Sequence, residues 1–335
     1  GATTAYGGEG LQGAGAGTIY TKLTPDTYGT TRVDNNGLAQ QWVTPITTPT
    51  LCHLAVANAG MAFPQPGMSL VSLNVEDGGV VSHDPNAEAI DLHVMTDATV
   101  HAGGHVDLDG RGMTSEQGPG AGSYDFSYPS GAGHGGRGSN GEAATAGLTY
   151  GSFTKPVAFG SGGGRTHSAG GKPGGGAMRL EVDGTLTING EVISNGADST
   201  EDGNKYAGAG AGGSLWLICA SLEGSGLIAA NGGDSIIEDQ TGGAGGGGRI
   251  AIYTDTDSFG GPVSAFGGEG RQGAGAGTIF RKITSESNGT VTIANDGVVQ
   301  QWEAPLGNGT LYRLEVADWG RAYLTPRLEL ARLVI

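Results

Sequence analysis

Cysteine is nearly absent, with only Cys52 and Cys219 in 335 residues, so no disulfide framework can hold this chain. Neither thiol keeps a shared position in the repeats described below: Cys52 stands where the later copy has Tyr312, and Cys219 where other copies have Val182 and Thr254. Basic residues are scarce as well, 17 Lys plus Arg against 33 Asp plus Glu, for a net charge of −16. That balance excludes nucleic acid as a partner, because phosphate binding needs a basic surface. It fits plain solubility, salty surroundings or contact with divalent cations. No apolar run approaches the length of a membrane span, no signal peptide is visible, and no amphipathic pattern persists over three helical turns.

Glycine is what the chain has in excess, 68 residues of 335, about three times ordinary usage. Collagen is excluded by the lack of a Gly-X-Y period, and disorder by 37% hydrophobic residues with only 13 Pro. The glycines come in bursts between short β-branched stretches such as Met178-Arg-Leu-Glu-Val182, which indicates a folded β protein.

Two repeats organise the sequence. Gly7 to Trp42 returns as Gly267 to Trp302 with 21 identities in 36 positions at an offset of 260, and the register holds to Leu73 and Leu333. The chain therefore reads as one long unit plus the start of the next, a segment of a longer array. Inside the long unit, Gly176 to Val182 aligns with Gly213 to Cys219, Gly248 to Thr254 and Gly277 to Ile283, in steps of 37, 35 and 29 residues. Alternating apolar residues in each copy predict a strand with one buried face. Arg281 interrupts that alternation in the fourth copy and predicts a bend or frayed end there. Asn195 and Asn231, 36 residues apart and each before a Gly, predict a recurring tight turn with stacked amides.

Units that cannot bury a face alone close their core by stacking. The expected fold is all-β, a right-handed parallel β-helix (β-solenoid) with Gly-rich loops and insertions. Like strands should pair in parallel, with the ladders Met178–Leu215–Ile250–Ile279 and Leu180–Leu217–Ile252 inside. Residues 1–75 form terminal coils of one long repeat, 76–175 β segments with a Gly-rich insertion, 176–260 regular coils, and 261–335 the start of the next repeat. Residues 110–175 carry little strand signal and read as an insertion on the flank. The Gly bursts admit three readings: compact turns, packed polyglycine II-like segments, or silk-like sheets, for which they are short.

Ala132-Gly-His-Gly-Gly-Arg-Gly138, Tyr150-Gly-Ser, Gly160-Ser-Gly-Gly-Gly164 and Gly174-Gly-Gly-Ala-Met-Arg-Leu180, followed by Gly213-Ser-Leu-Trp-Leu217, Ala229-Ala-Asn-Gly-Gly233 and Gly245-Gly-Gly-Gly-Arg-Ile-Ala-Ile252, occur in an order that resembles the glycine-rich β-solenoid repeats of very large bacterial secreted and cell-surface proteins. The resemblance implies an extracellular or cell-surface scaffold or adhesion role, and carries no active-site residue with it.

Candidate chemistry is thin. Gly8 to Gly13 and Gly268 to Gly273 fit a G-x-G-x-x-G pattern, but strand-like sequence follows each, so nucleotide binding is rejected. His105, Asp107 and Asp109 would share a face of an alternating strand and could hold a divalent ion such as calcium; the alternative is a solvated outer face. Asp255 and Asp257 could likewise contribute to a calcium site. No other cofactor is implied. Five lysines and scattered acids do not make a polysaccharide-cleaving site. Trp42 and Trp302, each after paired Gln residues, suit sugar stacking, or alternatively cover solenoid edges. The expected role is a stalk, fibre or adhesin body that associates with itself by stacking or end to end. A glycan-binding module is the alternative, and a carbohydrate-active enzyme is less favoured.

Overall fold

The computed structural model describes all residues except 1–2, 10–13, 40–41, 48–50, 86, 142–143, 200–206, 236–241, 271, 300–303, 307–308 and 325–327. Among the described residues there is no helix. The first third of the chain forms β1 (Thr18–Thr21), β2 (Gly29–Asp34), β3 (Thr44–Ile46), β4 (Cys52–Ala57), β5 (Met61–Pro64), β6 (Met68–Leu70), β7 (Ser72–Val75), β8 (Val80–Val81), β9 (Ile90–Val94), β10 (Ala98–Val100) and β11 (His105–Asp107). After a strandless stretch come β12 (Ala177–Ile188), β13 (Glu191–Ile193), β14 (Ser214–Glu223), β15 (Leu227–Ala229), β16 (Arg249–Asp257), β17 (Val263–Ser264) and β18 (Thr278–Ile283). The last stretch adds β19 (Thr290–Ile293), β20 (Ala304–Leu306), β21 (Gly309–Val316), β22 (Ala322–Leu324) and β23 (Leu328–Val334).

These strands form two large sheets, visited alternately. One has 14 strands along the path β1-β2-β4-β7-β10-β12-β14-β16-β18-β19-β21-β23, with β9 beside β12 and β6 beside β9; the other has seven, β3-β5-β8-β11-β13-β15-β17. A separate pair, β20 and β22, completes the set. Among the described residues, pairing is parallel except at two places, β1 with β2 and β18 with β19. The like strands β12, β14, β16 and β18 pair in parallel as expected, and the two antiparallel steps join unlike strands.

The expected ladders are present. Met178 pairs with Leu215, Leu215 with Ile250 and Ile250 with Ile279, while Leu180 pairs with Leu217 and Leu217 with Ile252. These side chains are buried in one core with Val106, Val192 and Ile228 of the second sheet. Outward residues alternate with them, as the pleat requires. At β18 the core changes face. Ile279 belongs to the first core, whereas its neighbour Phe280 packs in a second one with Val291, Ile293, Leu306 and Leu314. Arg281 does not fray the strand, which stays paired with β16 through Ile283. It forms an ion pair with Asp257 at the point where the first core ends.

The Gly-rich returns are packed extended segments, which decides among the three readings. Within 208–213 the N–H groups of Gly208, Ala209 and Gly210 donate to Gly164, Gly243 and Ala197, and those of Ala211, Gly212 and Gly213 donate to Ser161, Gly246 and Ser194. Every third residue thus returns to the same neighbouring segment, the threefold period of polyglycine II. Close approach is what demands glycine: a Cβ on Gly210 would lie 1.9 Å from the Pro173 carbonyl oxygen, and one on Gly136 1.8 Å from that of Gly275. Residues 110–175 join this bundle. Gly112 donates to Gly174, Gly136 to Gly247 and Gly131 to Ser139.

The 260-residue repeat is also a structural one. Gly7 N–H donates to the Asn35 side chain at 2.7 Å, and Gly267 N–H to Asn295 at 2.7 Å. Both asparagines are fully buried. The left-handed turn residues Asn36-Gly37 and Asn58-Ala59 recur as Asp296-Gly297 and Asp318-Trp319.

Candidate functional site

The expected tight turns at Asn195 and Asn231 are not formed. Both residues lie in extended segments that bond side by side, Gly196 N–H to the Asn231 carbonyl and Gly232 N–H to that of Phe266. These segments line a groove of about 350 Å³ bordered by Asp109, Asn195, Asp198, Asn231, Asp234 and Glu269. It is built rung by rung. Asp109 accepts from the Asn195 N–H at 2.6 Å and from its side-chain amide at 3.1 Å. Asn195 in turn accepts from the Asn231 N–H at 2.7 Å, and Asn231 from the Phe266 N–H at 2.8 Å. The expected amide stack is therefore a ladder in which each side-chain oxygen accepts from the backbone of the next segment. A second ladder runs beside it: Asp198 accepts from Asp234 N–H at 2.8 Å, and Asp234 from Glu269 N–H at 2.7 Å. Burial raises the pKa of Asp109, with Asp107 and Glu191 adding to it; burial likewise raises Asp234, with Asp198 and Glu269 adding. The groove is acidic, and the carboxylates of Asp109, Asp198 and Asp234 accept from backbone donors.

His105, Asp107 and Asp109 are placed close in sequence but serve different partners. His105 Nδ1 lies 3.1 Å from Glu191, Asp107 accepts from the Asp109 N–H at 3.0 Å, and Asp109 is held by Asn195. Asp257 is paired with Arg281 and accepts from the Phe259 N–H. Among the described residues no group of three His, Cys, Asp or Glu side chains is gathered as a metal site.

Sequence reasoning missed a buried polar cluster inside the glycine bundle. His134 is fully buried, and its Nδ1 donates to the Gly212 carbonyl at 2.8 Å. Its Nε2 has no hydrogen-bond partner. The ring packs on Tyr150 with centroids 4.6 Å apart. Arg249, also buried, donates from Nε to the Tyr150 carbonyl at 2.8 Å and from Nη1 to Thr278 Oγ1 at 3.1 Å. Burial, with the Arg249 charge adding, lowers His134 to about 3; burial also lowers Arg249 to about 10 and raises Tyr150 to about 12. This cluster ties the insertion to β16 and β18. Its only sequence signal is bulky residues, His134 and Arg249, set in runs where nearly every other residue is Gly or Ala.

Trp42 is 64% exposed, while Trp302 lies outside the described residues. Trp216 is covered by the Arg179 guanidinium, 5.3 Å from its ring, and neighbours Tyr253. It packs as part of the sheet's outer face. Both glycine patterns near β1 and β18 lead into strands, as read from sequence.

Compared with protein-family models, curated proteins and solved structures, the chain matches none.

Proposed function

We propose that this chain is a structural segment of a long extracellular or cell-surface β-solenoid, wound as a right-handed parallel β-helix, that forms a stalk, fibre or adhesin body. The observation that carries the reading is register continuity: the same strand positions pair from β2 to β18 across one sheet and from β3 to β17 across the other, and the pattern restarts after 260 residues. Such an array gains stability from each unit and its neighbour rather than from one globular centre. Its work is mechanical, its first partner is itself, and catalysis plays no part. Electron microscopy of the native protein should reveal rods or filaments; compact globular particles would contradict the proposal.

Glycan binding is a second reading, favoured by the exposure of Trp42, since an exposed indole suits stacking on a sugar ring. Binding on a glycan array that disappears in Trp42→Ala would support it, and an unchanged profile would remove it.

A further inference from the structure

β18 and β19 belong to the second copy of the long unit, at the 260-residue offset from β1 and β2. They pair over three positions, Ile279 with Thr292, Phe280 with Val291 and Arg281 with Thr290. With Phe280, Val291, Ile293 and Leu314 they build a core separate from that of the regular coils. One side chain from the Gly-rich insertion of the first copy reaches into it. Phe153 is 8% exposed and meets Phe280 edge-on, with ring centroids 5.9 Å apart. Among the described residues no other buried member of that core comes from residues 110–175. Room for the ring is set by the row that Trp216, Ala251 and Phe280 form across β14, β16 and β18. In that row the fully buried Ala251, which shares the core with Phe153, keeps the space between two large rings small-sided.

Local chemistry turns the ring inward. Gly151 enters the segment at φ +78°, a left-handed conformation that a Cβ disfavours. Ser152 Oγ then accepts from the N–H groups of Thr154 and Lys155 at 3.3 and 3.1 Å, a side-chain turn that closes around Phe153. Pro156 fixes φ just beyond it. Side chains of the strands beneath hold the backbone on both sides by its carbonyls. Arg249 Nε donates to Tyr150 at 2.8 Å, Tyr253 Oη to Thr154 at 2.8 Å and Ser214 Oγ to Ala158 at 2.6 Å. Those donors stand on β14 and β16, in the first copy. Residues 150–159 are thus anchored to one copy and place the Phe153 ring in the other.

We propose that residues 150–159 are an inter-unit strap, a segment of one long unit that completes the core of the next, so that neighbouring units open together. The proposal rests on the solenoid reading for its place in an array, and assigns the element that couples its units. Such coupling is the neighbour term that makes a repeat array cooperative. Hydrogen exchange in the full 335-residue chain tests it. In Phe153→Ala the β19 amides should exchange at least tenfold faster than in the parent, with the β13 and β15 amides changed less than twofold. Tyr253→Phe removes only the bond to Thr154 and should give the same pattern with a smaller factor, at least twofold. Val157→Ala, on the same segment but 61% exposed, should leave every rate unchanged. Unchanged β19 exchange in Phe153→Ala would overturn the strap. So would equal acceleration of β13, β15 and β19, which would make Phe153 a general stabiliser of the fold. If Phe153→Ala does not fold, the same comparison in Tyr253→Phe decides. Rods in micrographs whose β19 exchange ignores Phe153 and Tyr253 would remove the strap and leave the solenoid. Selective β19 acceleration in a protein that forms no rods would do the reverse.

Discussion

Glycine at position 210 and glycine at position 170 are chemically identical and physically opposite. A Cβ on Gly210 meets the Pro173 carbonyl oxygen at 1.9 Å, while one on Gly170 meets nothing within 4 Å. Forcing atoms into a packed interior costs about 1–3 kcal/mol, and more where backbone must move. Gly210→Ala should therefore lower unfolding stability by at least about 2 kcal/mol in urea titrations, with Gly170→Ala near zero. His134 supplies a second residue-scale test. Its folded pKa, about 3, lies below the ordinary 6.5, so the unfolded chain binds a proton that the folded chain refuses. Stability from this group is complete above pH 6.5 and falls as pH drops toward 3, by at most about 1.4 kcal/mol per unit. Denaturation at pH 7.5 and 4.5 should show a smaller acid loss for His134→Asn than for the parent chain. An equal loss would place the acid sensitivity elsewhere.

The strands and their corner ladders were legible because each copy lies within 37 residues of the last and alternation marks its buried face. The ladder through Asn195 and Asn231 followed from the same spacing. Its first rung, Asp109, did not: 86 residues separate it from Asn195, and the insertion between them hides the period. For the same reason the pairing of β9 and β10 with β12 could not be read from spacing. Partners within the glycine bundle, such as Gly136 and Gly275, were illegible because a burst of Gly and Ala has no side chains to specify register. Two outcomes belong at this scale. Leu217, fully buried in the middle of its ladder, should cost about 2–5 kcal/mol on replacement by Ala, read by urea unfolding. Asn231→Ala removes the acceptor of the Phe266 N–H and should cost about 1–2 kcal/mol, a loss that Asn231→Asp should largely avoid.

Across the whole molecule, the antiparallel steps at β1–β2 and β18–β19 recur at the 260-residue offset, and at β18 the core passes from one face of the strand to the other. Sequence announced the second step as a broken alternation at Arg281 but not the change of face, since Ile279 and Phe280 are both apolar and either could point inward. In the first sheet eight strand steps lead from β2 to its equivalent β19. At about 4.8 Å per step, each 260-residue unit should advance the proposed solenoid by roughly 40 Å. X-ray diffraction from aligned native protein tests this most directly. The account predicts a strong reflection near 4.8 Å along the long axis of the particles, because strands stacked in a solenoid lie across it, together with an axial period of roughly 40 Å. A 4.8 Å reflection perpendicular to that axis, or particles with no long axis to align, would contradict it.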